Sequence, residues 1–174
     1  MAGSLQINYS KEDTLSEYSL ESSVFDNNKR FIEESFNNFI YNNNILPNFD
    51  KKLMLETEVF LISDDEIKEI NQQYRNKCKA TDVISLAFYE DFRVESRDES
   101  LPQINLGDLF ISVDTARRQA RDSSISIEQE LVELTIHGVL HLLGFDHEIS
   151  DEEMKKMYEK EHQLFDYYKS LKNN

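Results

Sequence analysis

Apolar positions along the chain switch between a period of two and a period near 3.6. Leu5, Ile7 and Tyr9 alternate with polar neighbours and predict a short first strand. Residues 10–26 are polar, acidic and aperiodic, with Tyr18, Leu20, Val24 and Phe25 as candidate anchors onto the folded body. From Asn28 to about Ile45 the spacing is helical, and Phe31, Ile32, Phe36, Phe39 and Ile40 form one stripe. The asparagines at 42–44 and Pro47 close that helix. Leu53–Ser63 alternates again, with Leu55, Thr57, Val59 and Leu61 on one face. Ser63 followed by Glu66 has the form of a capping box, so a helix starts there and runs through Tyr74, with Ile67, Ile70 and Tyr74 inward.

Asp82–Tyr89 predicts a third strand, and Glu90–Ser100 an exposed, mobile acidic loop. Ile104–Val113 predicts a fourth strand in which Gly107 marks a bulge or a close backbone approach. Asp114 to about Arg121 reads as a short helix. Ser126 with Gln129 caps the main helix. Leu131, Val132, Leu134, Val139, Leu140, Leu142 and Leu143 make that helix apolar over much of its circumference, which predicts a central, buried position. Ser150 with Glu153 caps a last helix, with Met154, Met157, Tyr158, Leu164 and Phe165 available for packing and a frayed end after Leu171. The fold class is α+β: one domain over residues 1–174, a mixed four-stranded sheet packed with about five helices, and residues 1–26 as a variable N-terminal segment. The order of the strands does not follow from the pattern.

Composition narrows this further. A chain of 174 residues that is 39% hydrophobic can bury one sizeable core, and its 4 glycines and 2 prolines leave little room for a flexible linker. Cys78 is the only cysteine, so there is no disulfide framework, and a reducing interior (cytoplasm or the inside of an organelle) is expected. No apolar run is long enough to cross a bilayer, and the N-terminus lacks the features of a signal peptide, so no membrane association is expected. The net charge of −15 opposes non-specific nucleic-acid binding over the whole surface, but not a local basic groove. Arg75, Lys77 and Lys79 form one basic cluster, and Arg117, Arg118 and Arg121 form another at helical spacing; either is an RNA-contact candidate or an ordinary set of solvated charges.

The chemistry concentrates in Glu133-Leu-Thr-Ile-His137-Gly-Val-Leu-His141-Leu-Leu-Gly144-Phe-Asp-His147, which holds three of the four histidines. On a helix His137 and His141 point the same way, one turn apart. Gly144 can end the helix in a left-handed conformation and return His147 as a third ligand. Three imidazoles with a fourth position left to water describe a catalytic zinc site, with one Zn2+ expected, although imidazoles accept several divalent ions. The catalytic candidate is thus the zinc-bound water held at His137, His141 and His147, which the ion would make more acidic. The offsets match the zincin-type metal helix of the metzincin peptidases, H-E-x-x-H-x-x-G-x-x-H, with one difference: their general-base glutamate is replaced by Gly138. Asp146 either orients one imidazole or caps the turn. His162, far along the last helix, is structural or exposed rather than a fourth ligand.

The histidine block resembles the signature of the YbeY family of rRNA maturation factors. The likeness extends to Ile70-Asn-Gln-Gln-Tyr-Arg75 with Lys77, to Ala80-Thr-Asp82-Val-Ile-Ser85, and to Leu106-Gly-Asp108-Leu-Phe-Ile-Ser112, and so covers about residues 53–164. The resemblance implies a zinc-dependent endoribonuclease that prefers single-stranded RNA, matures the 3′ end of small-subunit rRNA and takes part in ribosome quality control. Its metal ligands fall on His137, His141 and His147, and its functionally important arginine falls on Arg75. Arg75 would grip the phosphate with its donor fork, and Thr81, Asp82 and Ser85 would shape the cleft floor. The implied partners are small-subunit rRNA precursor and ribosomal subunits or a ribosomal protein; no DNA is expected. Two positions depart from the family pattern: Ser85-Leu-Ala-Phe88 lacks its usual Phe-Pro, and Phe145 stands where a tyrosine is common. Two other readings remain beside this one: a zinc hydrolase acting on a peptide or small substrate, with its base brought from elsewhere, and a non-catalytic ribosome assembly factor with structural zinc.

Overall fold

The computed structural model describes residues 4–9, 18–42, 54–93 and 103–173. In chain order the elements are β1 (Leu5–Tyr9), α1 (Ser19–Asn42), β2 (Met54–Ile62), α2 (Asp64–Arg75), β3 (Val83–Ala87), β4 (Gln103–Ser112), α3 (Val113–Asp122), α4 (Ile127–Leu142) and α5 (Asp151–Lys172). Four strands form one mixed sheet in the order β1-β2-β4-β3. β1, β2 and β4 run parallel, and β3 lies antiparallel on the edge beyond β4. The expected α+β class, four strands and five helices are all present.

Alternation along β2 gives the sheet one buried face, carrying Leu55, Thr57, Val59 and Leu61. α4 packs directly against β3 and β4, α1 against β1, and α5 against both α1 and α4. The all-round apolar helix is central as expected: Leu131, Val139, Leu140 and Leu142 are fully buried. At about 1.5–3 kcal/mol for each large aliphatic side chain buried, this contact holds the helix rigid on the sheet. Its closeness is set by Gly138, where a Cβ would stand 2.1 Å from Leu109 Cδ1. On the outer edge, β1 leaves backbone donors that α1 satisfies: the Leu5 and Ile7 amides donate to Asn37 Oδ1 and Glu33 Oε1.

Gly107 is the irregularity that the sequence marked. Its φ is +135°, an added Cβ would meet Leu86 O at 2.2 Å, and the β2–β4 register shifts beside it, between Glu56 and Glu58. Ser63, Ser126 and Ser150 cap their helices as expected, and Ser63 with Glu66 forms the full capping box.

Several expectations need correction. The first helix begins at Ser19, not near Asn28, so part of the stretch read as aperiodic is helical. Its inward face carries Glu21 and Asn28, 2% and 3% exposed, and these polar residues in core positions hide the period. Of the candidate anchors, Tyr18 and Phe25 are buried but Leu20 is exposed. Glu90–Arg93 is loop as expected but not exposed throughout: Phe92 is fully buried and Arg93 is tied down, while residues 94–100 lie outside the described residues. Met154 and Tyr158 are exposed because each falls off the inward stripe of α5 set by Met157, Leu164 and Tyr168, whereas Tyr74 keeps the register of Ile67 and Asn71 but is exposed in the last turn of α2. The third strand stops at Ala87, with the Phe88 amide still donating to Leu106 O. The end of the first helix near Ile45 and the turn at Pro47 lie outside the described residues. Among the described residues no helix is long and apolar enough to cross a membrane.

Candidate metal centre and cleft

α4 delivers His137 and His141 from consecutive turns, and the chain then reverses at Gly144. The reversal is a Schellman motif, with the Phe145 amide donating to Leu140 O and the Gly144 amide to His141 O. Gly144 has φ +96°, and an added Cβ would strike Asp91, so both backbone angle and space require glycine there. Phe145, at the position where the family often has tyrosine, is buried against Phe39. Arg93 holds the turn from outside: its guanidinium donates to Gly144 O at 2.7 Å and to both Asp91 oxygens at 2.8 Å, and it lies over the Phe145 ring.

The turn returns His147 to the other two histidines. One ring nitrogen from each of His137, His141 and His147 lies within 4.8 Å of the others, the one such convergence of metal-binding side chains among the described residues. His137 Nε2 and His141 Nε2 are 3.1 Å apart. Two nitrogens on one tetrahedral zinc stand about 3.3 Å apart, given bonds of 2.0–2.1 Å.

The protonation states suit ligation. Burial first, then the neighbouring His137 and His147, push His141 down to about 4, so it is neutral at pH 7. Glu161 Oε1 lies 2.7 Å from His137 Nδ1. A carboxylate only accepts, so Nδ1 carries a proton there and Nε2 is the ring atom turned to the centre. His147 Nδ1 is buried and has no hydrogen-bond partner. Three converging imidazoles, one of them with an orphaned buried nitrogen, fit a divalent ion.

Around this centre lies a cleft of about 630 Å³ lined by Arg75, Lys77, Thr81, Asp82, Val83, Ser85, the three histidines, Asp146 and Glu148. A second groove of about 650 Å³ continues past Arg75, Ser85, His141 and Asp146 toward Arg93, Phe145 and Ile149. The predicted cleft residues therefore come together from α2, β3 and the turn after α4. Asp82 is wholly engaged: Thr81 and the Val83 amide donate to Oδ1, and Gln119 to Oδ2. Burial alone would raise its pKa, but these bonds outweigh it and hold the carboxyl below its usual range. Ser85 donates to Gly138 O. Both belong to the floor. Asp146 accepts from the Glu148 amide, the turn-capping alternative of its two expected roles. Arg75 is exposed at the end of α2 and forms no ion pair among the described residues.

Other candidates are placed elsewhere. Lys79 is exposed; its amide donates to Lys77 O and its carbonyl accepts from Asn71 Nδ2. Arg117 pairs with buried Glu21 at 2.7 Å, Arg118 with Asp64 at 2.8 Å, and Arg121 is exposed; none of the three lines the cleft. His162 is exposed, with its ring against Tyr158. Glu161 and Arg93 are the residues that sequence reasoning missed. The available signal for Glu161 was its register on α5, where Met157, Glu161, Leu164 and Tyr168 share one face; for Arg93 there was none.

A helix-borne pair of histidines, a third returned by a glycine turn and a neighbouring exposed arginine make a site that could hold a metal ion in an open cleft. The match to the family model described as "Endoribonuclease YbeY" spans residues 17–169. The chain belongs to the YbeY family of endoribonucleases. It is 44% identical over 115 residues to the endoribonuclease YbeY of Bacillus licheniformis, covering 65% of this chain and 72% of that protein. The Persephonella marina member is 34% identical over 142 residues, 82% of this chain and 84% of its own. A chloroplastic member from Arabidopsis thaliana is 44% identical over 110 residues, 63% of this chain but 18% of that longer protein. Among solved structures, the solution structure of a Thermotoga maritima protein superposes with a TM-score of 0.57 at 27% identity, covering 94% of this chain and 88% of the other.

Proposed function

We propose that this chain is a zinc-dependent endoribonuclease that cuts single-stranded segments of small-subunit rRNA precursor, at a site formed by His137, His141, His147 and Arg75. The observation that carries the proposal is the unpaired Arg75 guanidinium lining the same cleft as the three converging imidazoles. The metal would be held by the three histidines; when bound, a divalent ion there supplies Lewis acidity and makes bound water more acidic. This chain's own residues do the rest. Arg75 grips a phosphate through its planar donor fork and offsets the charge that develops on it. Lys77 adds a second positive group at the mouth, while Thr81, Asp82 and Ser85 keep the floor fixed. Glu161 orients the His137 ring. With a net charge of −15, the rest of the surface repels RNA, so affinity rests on this cleft and on a ribosomal partner, and falls steeply with salt.

The peptidase alternative is disfavoured by Gly138. That position faces β4 with Leu109 in contact, so the peptidase base has neither a side chain nor room here. The nucleophile is either a neighbouring 2′-hydroxyl, which leaves a cyclic phosphate, or water, which does not. End-group analysis of products from zinc-loaded protein on small-subunit precursor, free and within assembled subunits, tests the proposal. Cleavage lost in both His141→Ala and Arg75→Glu supports it. No cleavage by the wild type in either setting would leave the assembly-factor reading.

A further inference from the structure

The stripe of α4 that carries His137 and His141 continues toward the helix N-terminus through Glu133 and Glu130. These residues enter an adjoining cavity of about 330 Å³ between α4 and α5, whose walls also include His137, Asp82, Glu161, Tyr158, His162 and Phe165. Glu130 is 8% exposed, and its carboxylate makes no hydrogen bond or ion pair among the described residues. It is an exception in this protein. Buried Glu21 has Arg117, and Asp82 has Gln119, Thr81 and the Val83 amide. Burial, then the neighbouring Glu133 and Asp82, push the Glu130 carboxyl up, so it is relieved either by taking up a proton or by a cation that joins it.

The shape of the cavity selects among cations. These carboxylates do not converge on one point as the three imidazoles do, so a bare metal ion is not what they surround. A guanidinium carries five donors in a planar fork and can bridge separated carboxylates while its face rests on an aromatic ring. Tyr158 supplies an exposed ring and Phe165 a half-buried one, with Leu134 and Ile136 beneath for an aliphatic stem. The volume lies at the small end for ligand sites, which suits one side chain. Phosphate is repelled, so the RNA path does not enter here.

We propose that this cavity is a docking site for an arginine side chain of a basic polypeptide partner, held by Glu130 and Glu133 and stacked on Tyr158. The site adjoins the metal centre through His137 and Asp82, and its occupancy is tested without reference to RNA cleavage. The test is an amide NMR titration of the zinc-loaded protein with N-acetyl-arginine methylamide, its lysine and citrulline counterparts, and a lysine-flanked arginine peptide. Saturable shifts confined to residues 130–137 and 158–165 are expected, weaker for lysine and absent for citrulline. Glu130→Gln should weaken binding about tenfold, the worth of one charge-assisted hydrogen bond. Glu152→Gln, the same charge change on the outer face of α5, should leave it unchanged. Glu133→Gln serves as a second variant if a thermal melt shows Glu130→Gln to be misfolded. The peptide should bind more tightly than the single amide; equal affinity would point to a free guanidinium ligand and overturn the polypeptide partner. Shifts scattered over the acidic surface, equal response to lysine, or no loss in either glutamine variant would overturn the site itself.

Discussion

Two corners of this molecule use the same residue types to opposite ends. Where α3 meets the starts of α1 and α2, charges are closed onto one another: Arg117 on Glu21, Arg118 on Asp64, and the Tyr18 hydroxyl on Asp114. Asp64 also collects the Ser112 and Thr115 hydroxyls. At the cleft the groups are left open. Arg75 has no ion pair among the described residues, His147 Nδ1 is buried and unpartnered, and two Nε2 atoms face each other at 3.1 Å. The first arrangement holds helices together; the second is a set that a ligand completes. As sequence, the two basic clusters are equivalent, and only the partners supplied by the fold separate them.

The hardest test of that contrast is His141→Ala. If the imidazoles form an open set awaiting a metal, the variant keeps its fold and loses stoichiometric metal after dialysis, as circular dichroism and metal analysis would show. A structural zinc predicts the reverse, since such an ion contributes on the order of 10 kcal/mol to folding, and its loss would unfold the domain.

Exchanging the arginines is the next step. Arg75→Lys keeps the charge but not the fork, and should lower the cleavage rate about a hundredfold with metal content and melting temperature unchanged. Arg117→Ala should do the opposite: cost about 3 kcal/mol of stability in a denaturant titration, by stranding the buried Glu21 carboxylate, and leave single-turnover cleavage intact below the melt. Equal effects of both on cleavage would erase the distinction between the two corners.

Glu161→Gln sharpens the picture at smaller amplitude. Loss of a carboxylate behind a ligating imidazole costs about 10–100-fold in metal affinity, measured by competition with a chelator. Glu161→Asp should recover part of the loss, and the ring 15N shifts of His137 should report a changed tautomer in glutamine but not in aspartate.

Why some of this was legible in the chain and some was not follows from distance along it. His137, His141, Gly144 and His147 lie within one helix end and its turn, so local geometry fixes their relation, and their spacing alone announced a metal site. Arg75 reaches the histidines only through the packing of α2 and β3 against α4; it was identifiable by family likeness, not by any local rule. Glu161 approaches from a helix whose sequence shows only that a carboxylate sits in a packing register. The start of α1 was obscured because Glu21 and Asn28 take core positions and are satisfied by Arg117 and by Tyr168, respectively 96 and 140 residues away. The loop after β3 read as exposed, because Arg93 gains its anchor only once the Gly144 turn exists.

The smallest expected effect concerns acid. His141 has a folded pKa of about 4, set by burial and by its two histidine neighbours, against 6.5 when free. Between those values the unfolded chain takes up a proton that the native metal-free protein refuses. The contribution is therefore fully present above pH 6.5 and is lost as pH falls toward about 4. Its slope cannot exceed about 1.4 kcal/mol per pH unit, and it is smaller here because the ring is partly solvated. Subtracting denaturant titrations of metal-free His141→Ala from those of the metal-free wild type, across pH 4–7, isolates this slope. A difference that is flat over that window would show that the ring takes up protons freely in the native state, and that the cleft does not hold it neutral for a metal.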